Sequence, residues 1–266
     1  MNAAAGLPHK GFSVHAQRYE PGCGTGQGGS PTAGEPTLDI FAPSLRLPRG
    51  GFHDLETRVT TGRFISLEGI DGAGKSAQIG RLADWLRSTG RHVTTCRDPG
   101  STPLGDAVRA ILLDRHDLQL AATAEMFLYM AARAQMVAEV IEPALARGEW
   151  VVSDRYLLSN VVYQGYAGGL DPEAIRNVGR IATAGRMPDL VLLLDVDLET
   201  SARRLARPLD KLENRGDEYR ARLRAGYLAE AASQPDRVVA IDATGGIDDV
   251  AAAIRRAVAA RLPEMA

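Results

Sequence analysis

Short apolar runs alternate with stretches of helical period from Arg63 onward. Each apolar run is bounded by Gly, Pro or polar residues, and the longest helical stretch covers residues 121–147. Because alternating strands and helices are joined by right-handed crossovers, this pattern predicts one α/β domain whose parallel sheet is covered by helices on both faces. The five runs predicted as buried strands are Phe64–Glu68, Val93–Arg97, Trp150–Asp154, Leu190–Asp195 and Val238–Asp242.

The composition changes sharply near Thr61. Earlier segments such as residues 21–36 are rich in Gly, Pro, Ser and Thr and show little periodicity. A segment of this kind cannot bury enough apolar surface to offset its ordering entropy, so we predict a disordered extension over 1–61 and a folded domain over 62–266. The extension is either a regulatory or targeting tail or dispensable. We favour the second alternative and expect a chain that begins at Thr61 to keep its turnover and melting temperature.

The bulk properties exclude several classes of protein. A net charge of −2 creates no global field that would recruit nucleic acid or a membrane surface. The two cysteines, Cys23 and Cys96, form neither a disulfide framework nor a metal-ligand set, and Cys96 lies in an apolar run where a buried, inert thiol is expected. The apolar runs are too short to span a bilayer, and the N-terminus lacks the core of a secretory signal. We therefore expect a cytoplasmic protein.

A phosphate-binding loop follows the first predicted strand. Its pattern, G-x-x-x-x-G-K-S, lets backbone N–H groups curl around phosphates at the start of a helix. Lys75 would reach the β- and γ-phosphates, and Ser76 can ligate Mg²⁺. Only three lysines occur in the chain, and one of them falls on the required position. The predicted ATP-binding residues are Gly69, Ile70, Asp71, Gly72, Ala73, Gly74, Lys75 and Ser76.

A second polar group follows the third predicted strand, where Asp154 precedes Arg155. An acid at a strand end that faces the phosphate loop can hold Mg²⁺, and the adjacent arginine can clamp a phosphate. The alternative is an ion pair at the strand end without chemistry. A phosphate loop alone fits GTPases, ATPase motors and small-molecule kinases, so other residues must decide between these classes.

Three blocks of the chain resemble the signature blocks of thymidylate kinases. With two shorter segments they follow the family's order and spacing from about residue 63 to residue 261. The blocks are 64–78 (FISLEGIDGAGKSAQ), 97–105 (RDPGSTPLG) and 154–165 (DRYLLSNVVYQG), and the shorter segments are 188–195 (PDLVLLLD) and 241–244 (IDAT). The resemblance implies a P-loop kinase fold with a five-stranded parallel sheet and a short lid. It also implies transfer of the ATP γ-phosphoryl to dTMP with Mg²⁺, and a homodimer. Two alternatives stay open, a related kinase with another acceptor and a nucleotide-binding protein without turnover.

The resemblance also implies roles for residues of the acceptor site. Asp71 would hold the deoxyribose 3′-hydroxyl, and Tyr163 would pack where a ribose 2′-hydroxyl would lie. Tyr129 occupies the position of a phenylalanine that stacks on thymine; it lies four residues before Arg133, so both share a helix face, whereas Phe127 is a rival on another face. The implied substrate-binding residues are Asp71, Arg97, Arg109, Tyr129, Arg133, Arg155, Ser159, Asn160, Tyr163 and Gln164.

A basic cluster after the fourth predicted strand resembles the family's lid, with Lys211 in place of the usual arginine. Such a lid closes a cation over the equatorial oxygens of the phosphoryl group in flight. Because Gly72 stands where some relatives carry a catalytic arginine, the lid must supply that arginine, and either Arg204 or Arg207 can do so. The implied catalytic residues are Lys75, Arg155, Arg204 and Arg207, with Ser76 and Asp154 as metal ligands.

Overall fold

A computed structural model describes residues 62–115, 117–205 and 216–262. The predicted extension over 1–61 lies outside these ranges, and so do Arg207 and Lys211 of the predicted lid. In the described part of the chain, no helix is long and apolar enough to cross a membrane.

The sheet has five parallel strands: β1 (Phe64–Glu68), β2 (Val93–Arg97), β3 (Trp150–Asp154), β4 (Leu190–Asp195) and β5 (Val238–Asp242). Their order across the sheet is β2-β3-β1-β4-β5. The central position of β1 places the loop that follows it at the middle of the carboxyl edge, where ligands bind in sheets of this kind. Every predicted strand is confirmed with its predicted bounds. The prediction that all five are buried is wrong for the two edge strands, β2 and β5, which are only partly buried because each has a neighbouring strand on one side only.

Helices connect the strands and cover both faces of the sheet. The predicted stretch over 121–147 is observed as two helices joined through a π-helical segment, Val137–Ile141. A second π-helical segment, Val161–Tyr166, follows the helix after β3. The α-helices are α1 (Lys75–Ser88), α2 (Pro103–Leu113), α3 (Ala122–Met136), α4 (Glu142–Ala146), α5 (Leu157–Asn160), α6 (Pro172–Ala182), α7 (Leu198–Arg204), α8 (Asp217–Ser233) and α9 (Ile247–Arg261).

Strand β1 shows how the core is divided between the two faces. Phe64 packs in a cluster with methionines of α3, whereas Ile65 and Leu67 pack in a cluster with Leu82 of α1. This alternation follows from the two-residue period of a strand, and it buries β1 completely. Cys96 is buried as predicted, and burial raises the pKa of its thiol to about 12, which keeps the thiol unreactive at neutral pH.

Candidate active site

The phosphate loop connects β1 to α1 through glycines in the left-handed region of backbone conformation. Gly72 has φ +80°, and Gly74, the N-cap of α1, has φ +95°. Because L side chains rarely adopt these conformations, glycine allows the chain to turn sharply into the helix. The amino end of α1 therefore opens toward the loop, and its N–H groups form an anion-binding end.

Lys75 lies under this loop with its side chain 7% exposed. Its Nζ donates hydrogen bonds of 2.9 Å to the carbonyl oxygens of Gly69 and Ile70 and lies 3.7 Å from the Asp71 carboxylate. Burial and the charge of Arg155 lower the pKa of Lys75 to about 8, although neighbouring carboxylates oppose that shift. The ammonium is thus held at the loop by two neutral carbonyl oxygens, which a phosphate oxygen can replace, and by the more distant Asp71 carboxylate.

Ser76 and Asp154 meet at the carboxyl edge of the sheet, where the Ser76 hydroxyl donates to Asp154 Oδ2 over 3.4 Å. Both residues line a cavity of about 320 Å³ beside the phosphate loop. Hydroxyl and carboxylate oxygens suit Mg²⁺, which keeps several waters and takes phosphate oxygens as ligands. Over the described residues, no cluster of three or more His, Cys, Asp or Glu side chains could hold a metal by itself. This pair therefore fits a magnesium ion that arrives with a nucleotide.

A second cavity, of about 110 Å³, adjoins the first and collects nine of the ten predicted acceptor residues. Arg97 is the exception, because its half-exposed side chain lines the phosphate-loop cavity instead. Phe127 is exposed on α3 and does not line the second cavity. The predicted residues that line it are Asp71, Arg109, Tyr129, Arg133, Arg155, Ser159, Asn160, Tyr163 and Gln164.

The two cavities share four charged residues at their junction: Asp71, Asp98, Arg109 and Arg155. Arg155 donates a short hydrogen bond to Asp71, and the Tyr163 hydroxyl donates to the same carboxylate over 2.9 Å. Burial raises the pKa of Asp71, but the charges of Arg155 and Lys75 outweigh burial and hold that pKa well below its usual value. A neutralised ion pair thus stands between the two cavities.

Sequence reasoning missed the buried carboxylate beneath Arg155. Glu68, at the end of β1, accepts hydrogen bonds from the Tyr156 backbone (2.8 Å), the Ser159 hydroxyl (2.6 Å) and the Tyr227 hydroxyl (3.3 Å). Burial raises the pKa of Glu68 to about 7, although its hydrogen bonds and the Arg155 charge oppose that shift. The only sequence signal was an acid at the end of the strand that leads into the phosphate loop.

Arg204 lies at the C-terminal end of α7, and its side chain lies between two cavities that it lines. Its guanidinium donates to the carbonyl oxygens of Ala243, Thr244 and Gly245 over 2.8–3.2 Å. It lines the phosphate-loop cavity and also a third cavity, of about 370 Å³, bordered by residues that follow β5. Arg207, the alternative catalytic arginine, lies outside the described residues.

The phosphate loop lies at the centre of a parallel sheet, and Arg109 and Arg155 line both its cavity and the adjoining acceptor cavity. This arrangement defines a P-loop phosphotransferase. Comparison with known proteins identifies the family. The family model described as thymidylate kinase matches residues 67–254. The thymidylate kinase of Rhodopirellula baltica is 47% identical over 193 residues, which cover 73% of this chain and 78% of that protein.

Two further similar proteins, one of them a solved structure, are also thymidylate kinases. The thymidylate kinase of Solidesulfovibrio magneticus is 46% identical over 200 residues, covering 72% of this chain and 96% of that protein. The crystal structure of thymidylate kinase from Ehrlichia chaffeensis superposes with a TM-score of 0.61 at 27% identity, covering 74% of this chain and 98% of that one. The chain belongs to the thymidylate kinase family, which confirms the resemblance and the predicted fold.

Proposed function

We propose that the protein is a dTMP kinase, which transfers the γ-phosphoryl group of ATP to dTMP and releases dTDP and ADP. Membership of the thymidylate kinase family supports this activity. The structural observation that carries the proposal is the junction of the two cavities, where Arg109 and Arg155 border both the phosphate loop and the acceptor pocket. Guanidinium groups at such a junction can hold a donor phosphate and an acceptor phosphate at the same time.

ATP would occupy the phosphate-loop cavity and the third cavity. Backbone N–H groups of the loop and Lys75 would hold the β- and γ-phosphates. Arg204 and the loop after β5 border the 370 Å³ cavity, which leaves room for the base. Ser76 and Asp154 would hold Mg²⁺, which neutralises charge on the β- and γ-oxygens when it is bound.

dTMP would occupy the acceptor cavity. Tyr129 lines it as a stacking surface, and Tyr163 is held against Asp71 by its hydroxyl, so little room is left beside the sugar. Its phosphate would draw Arg155 away from Asp71, whose freed carboxylate can then accept a hydrogen bond from the 3′-hydroxyl.

The transfer needs no covalent enzyme intermediate. A phosphate oxygen of dTMP attacks the γ-phosphorus of ATP, the new P–O bond forms, and the bond to the β–γ bridging oxygen breaks with its electron pair leaving on ADP. Lys75, Arg155 and the lid arginine contribute by positioning the phosphates and by neutralising their charge.

A homodimer is part of the proposal. Three apolar side chains, Leu104, Phe127 and Ile181, are exposed on α2, α3 and α6, and Ile181 is 82% exposed. These helices pack side by side in pairs, α2 with α3 and α3 with α6. A second copy of the chain would cover these side chains. Light scattering after size exclusion should give twice the chain mass, and Ile181→Asp with Phe127→Asp should give the monomer. The predicted cytoplasmic location remains a prediction.

A coupled assay of ADP release with dTMP, dUMP and UMP as acceptors tests the activity. We expect the highest kcat/KM with dTMP, a preference over dUMP of about 1–3 kcal/mol for one methyl group, and much less turnover with UMP. Equal values for all three acceptors would contradict the pocket. Turnover with none of them, together with intact ATP binding, would favour a nucleotide-binding protein, an alternative to which the relatives lend no support.

A further inference from the structure

Five buried polar side chains form a continuous hydrogen-bonded chain along one wall of the acceptor cavity, and we call it the amide relay. Each residue in it is at most 5% exposed. It begins with the Arg133–Asp98 ion pair at 2.5 Å and continues from Arg133 to Asn160 Oδ1. Asn160 Nδ2 then donates to Gln164 Oε1 over 2.7 Å, and Gln164 Nε2 donates to Glu125 Oε1 over 2.8 Å.

The two ends of the relay fix the direction of every bond in it. A guanidinium can only donate, so the Asn160 atom that faces Arg133 must be its oxygen. The Asn160 nitrogen therefore faces Gln164 and requires an oxygen there, which turns the Gln164 nitrogen toward Glu125. A carboxylate accepts that last bond. The orientation of both amides, usually ambiguous, is here imposed by a cation at one end and a carboxylate at the other.

This direction decides what the wall can offer to a base. Asn160 and Gln164 line the cavity, whereas Glu125 stands behind Gln164 and does not line it. Each amide has turned its oxygen toward a relay partner and keeps one further N–H. The wall, including Arg133, is therefore rich in donors. A donor of this wall placed opposite position 4 of the base matches the O4 atom of thymine or uracil, whereas it would face the N4 amino group of cytosine donor to donor.

We propose that Glu125 is a positioning residue for base selection: by accepting from Gln164 it fixes the amide relay in the direction that favours thymine over cytosine. This inference rests on the proposed dTMP kinase activity. Without the acceptor at position 125, the Gln164 nitrogen loses its partner and the amide can rotate. A buried donor left without an acceptor is costly, so the side chain will seek another partner and offer the base a different group.

Two variants of similar size separate the acceptor role from simple packing. Glu125→Leu fills the same space without an acceptor, and Glu125→Gln keeps an oxygen that can accept from Gln164. The matched control is Glu230→Leu, since Glu230 is a similarly buried carboxylate that bonds Arg176 and Tyr166 and does not line the acceptor cavity. The measurement is kcat/KM for dTMP and dCMP in the full-length chain, with melting curves for each variant.

We expect Glu125→Leu to lower the dTMP-to-dCMP preference by about tenfold or more, through a higher KM for dTMP with kcat changed little. Glu125→Gln should restore most of the preference. Glu230→Leu should be less stable than the wild type but should keep the wild-type preference for dTMP over dCMP. A wild-type preference in folded Glu125→Leu, or equal losses in the leucine and glutamine variants or in the control, overturns the inference. If the leucine variant does not fold, Glu125→Ala replaces it. Absence of dTMP turnover in the wild type would instead overturn the proposed function.

Discussion

The carbonyl oxygen of Ser201 lies 2.5 Å from the point where a Cβ atom at position 72 would stand. Gly72 also has φ +80°, which a side chain would strain. The contact is reinforced nearby, because the Ser201 hydroxyl donates to the Asp71 carbonyl oxygen over 2.6 Å. Helix α7 thus packs its backbone against the phosphate loop, and an arginine cannot be accommodated at position 72 without moving one of them.

Replacing Gly72 with alanine should therefore reduce both stability and turnover. We expect a loss of about 1–3 kcal/mol in the free energy of unfolding, because the methyl group meets backbone and the positive φ is strained. Gly80→Ala in α1 is the control, since a Cβ there meets nothing within 4 Å and should stabilise the helix by about 0.5–1 kcal/mol. Urea unfolding measures the stability of both variants, and the coupled assay measures their turnover. Equal stability of Gly72→Ala and the wild type would contradict the contact.

Replacing Lys75 with alanine should leave the fold intact and reduce kcat by about 100-fold or more, the scale for loss of one preorganised positive group at a transition state. Its two hydrogen bonds go to loop carbonyls, so the variant loses little structure. Steady-state kinetics and a melting curve check the two halves of this prediction. Arg115→Ala, which removes an exposed ion pair with Asp117, should change neither quantity. Near-normal kcat in Lys75→Ala would refute the phosphate-loop assignment.

Glu68 should make the unliganded protein less stable as the pH rises. Its pKa is about 7 in the folded protein and 4.5 as the ordinary value, so between these pH values the folded state holds a proton that the unfolded state has lost. The resulting loss in the free energy of unfolding grows through that pH range to about 3 kcal/mol and is constant above it. Asp71 has a lowered pKa and therefore the opposite effect: it makes the folded protein less stable as the pH falls, but only below its ordinary pKa of 3.8.

Urea unfolding of Glu68→Gln and the wild type at pH 5 and pH 8 tests this dependence. The stability of the variant relative to the wild type should improve by about 2–3 kcal/mol between the two pH values. Glu218→Gln, at an exposed position of α8, serves as the control and should follow the wild type at both. Parallel behaviour of Glu68→Gln and the wild type would show that Glu68 titrates normally.

The two candidate lid arginines should differ in kinetics. Arg204 donates to three backbone carbonyls beside the third cavity, so Arg204→Ala should chiefly raise the KM for ATP. We then expect Arg207→Ala to lower kcat by about 10³-fold, as the loss of an arginine finger does, with little change in the KM for dTMP. A kcat loss of that size in Arg204→Ala would assign the catalytic role to Arg204. Near-normal kcat in both single variants and the double variant would exclude the lid as the source of that charge.

Local patterns in the sequence were sufficient for the sheet, whereas most residues that line the acceptor cavity were named only through the family resemblance. The central strands β1 and β4 are short apolar runs between glycines, prolines and polar residues, and burial on both faces makes such runs easy to recognise. The roles of Glu68 and Glu125 were not predictable, because each depends on partners distant in sequence. Glu68 meets Tyr227, and Glu125 meets Gln164 through the fold alone. A buried carboxylate looks like any polar residue until its partner is known.

The Asp71–Arg155 ion pair has a consequence for which molecules the acceptor cavity can retain. Phosphate alone would have to separate the two charges and leave the partly buried Asp71 carboxylate with only the more distant Lys75 as a cation, which is costly. A sugar hydroxyl alone would find Asp71 already occupied by Arg155 and Tyr163. In the proposed binding mode, a nucleoside monophosphate would bring an anion for Arg155 and a hydroxyl donor for Asp71 in one molecule, so both replaced bonds would be recovered together. The ion pair would therefore select molecules in which one sugar carries both a phosphate and a hydroxyl donor.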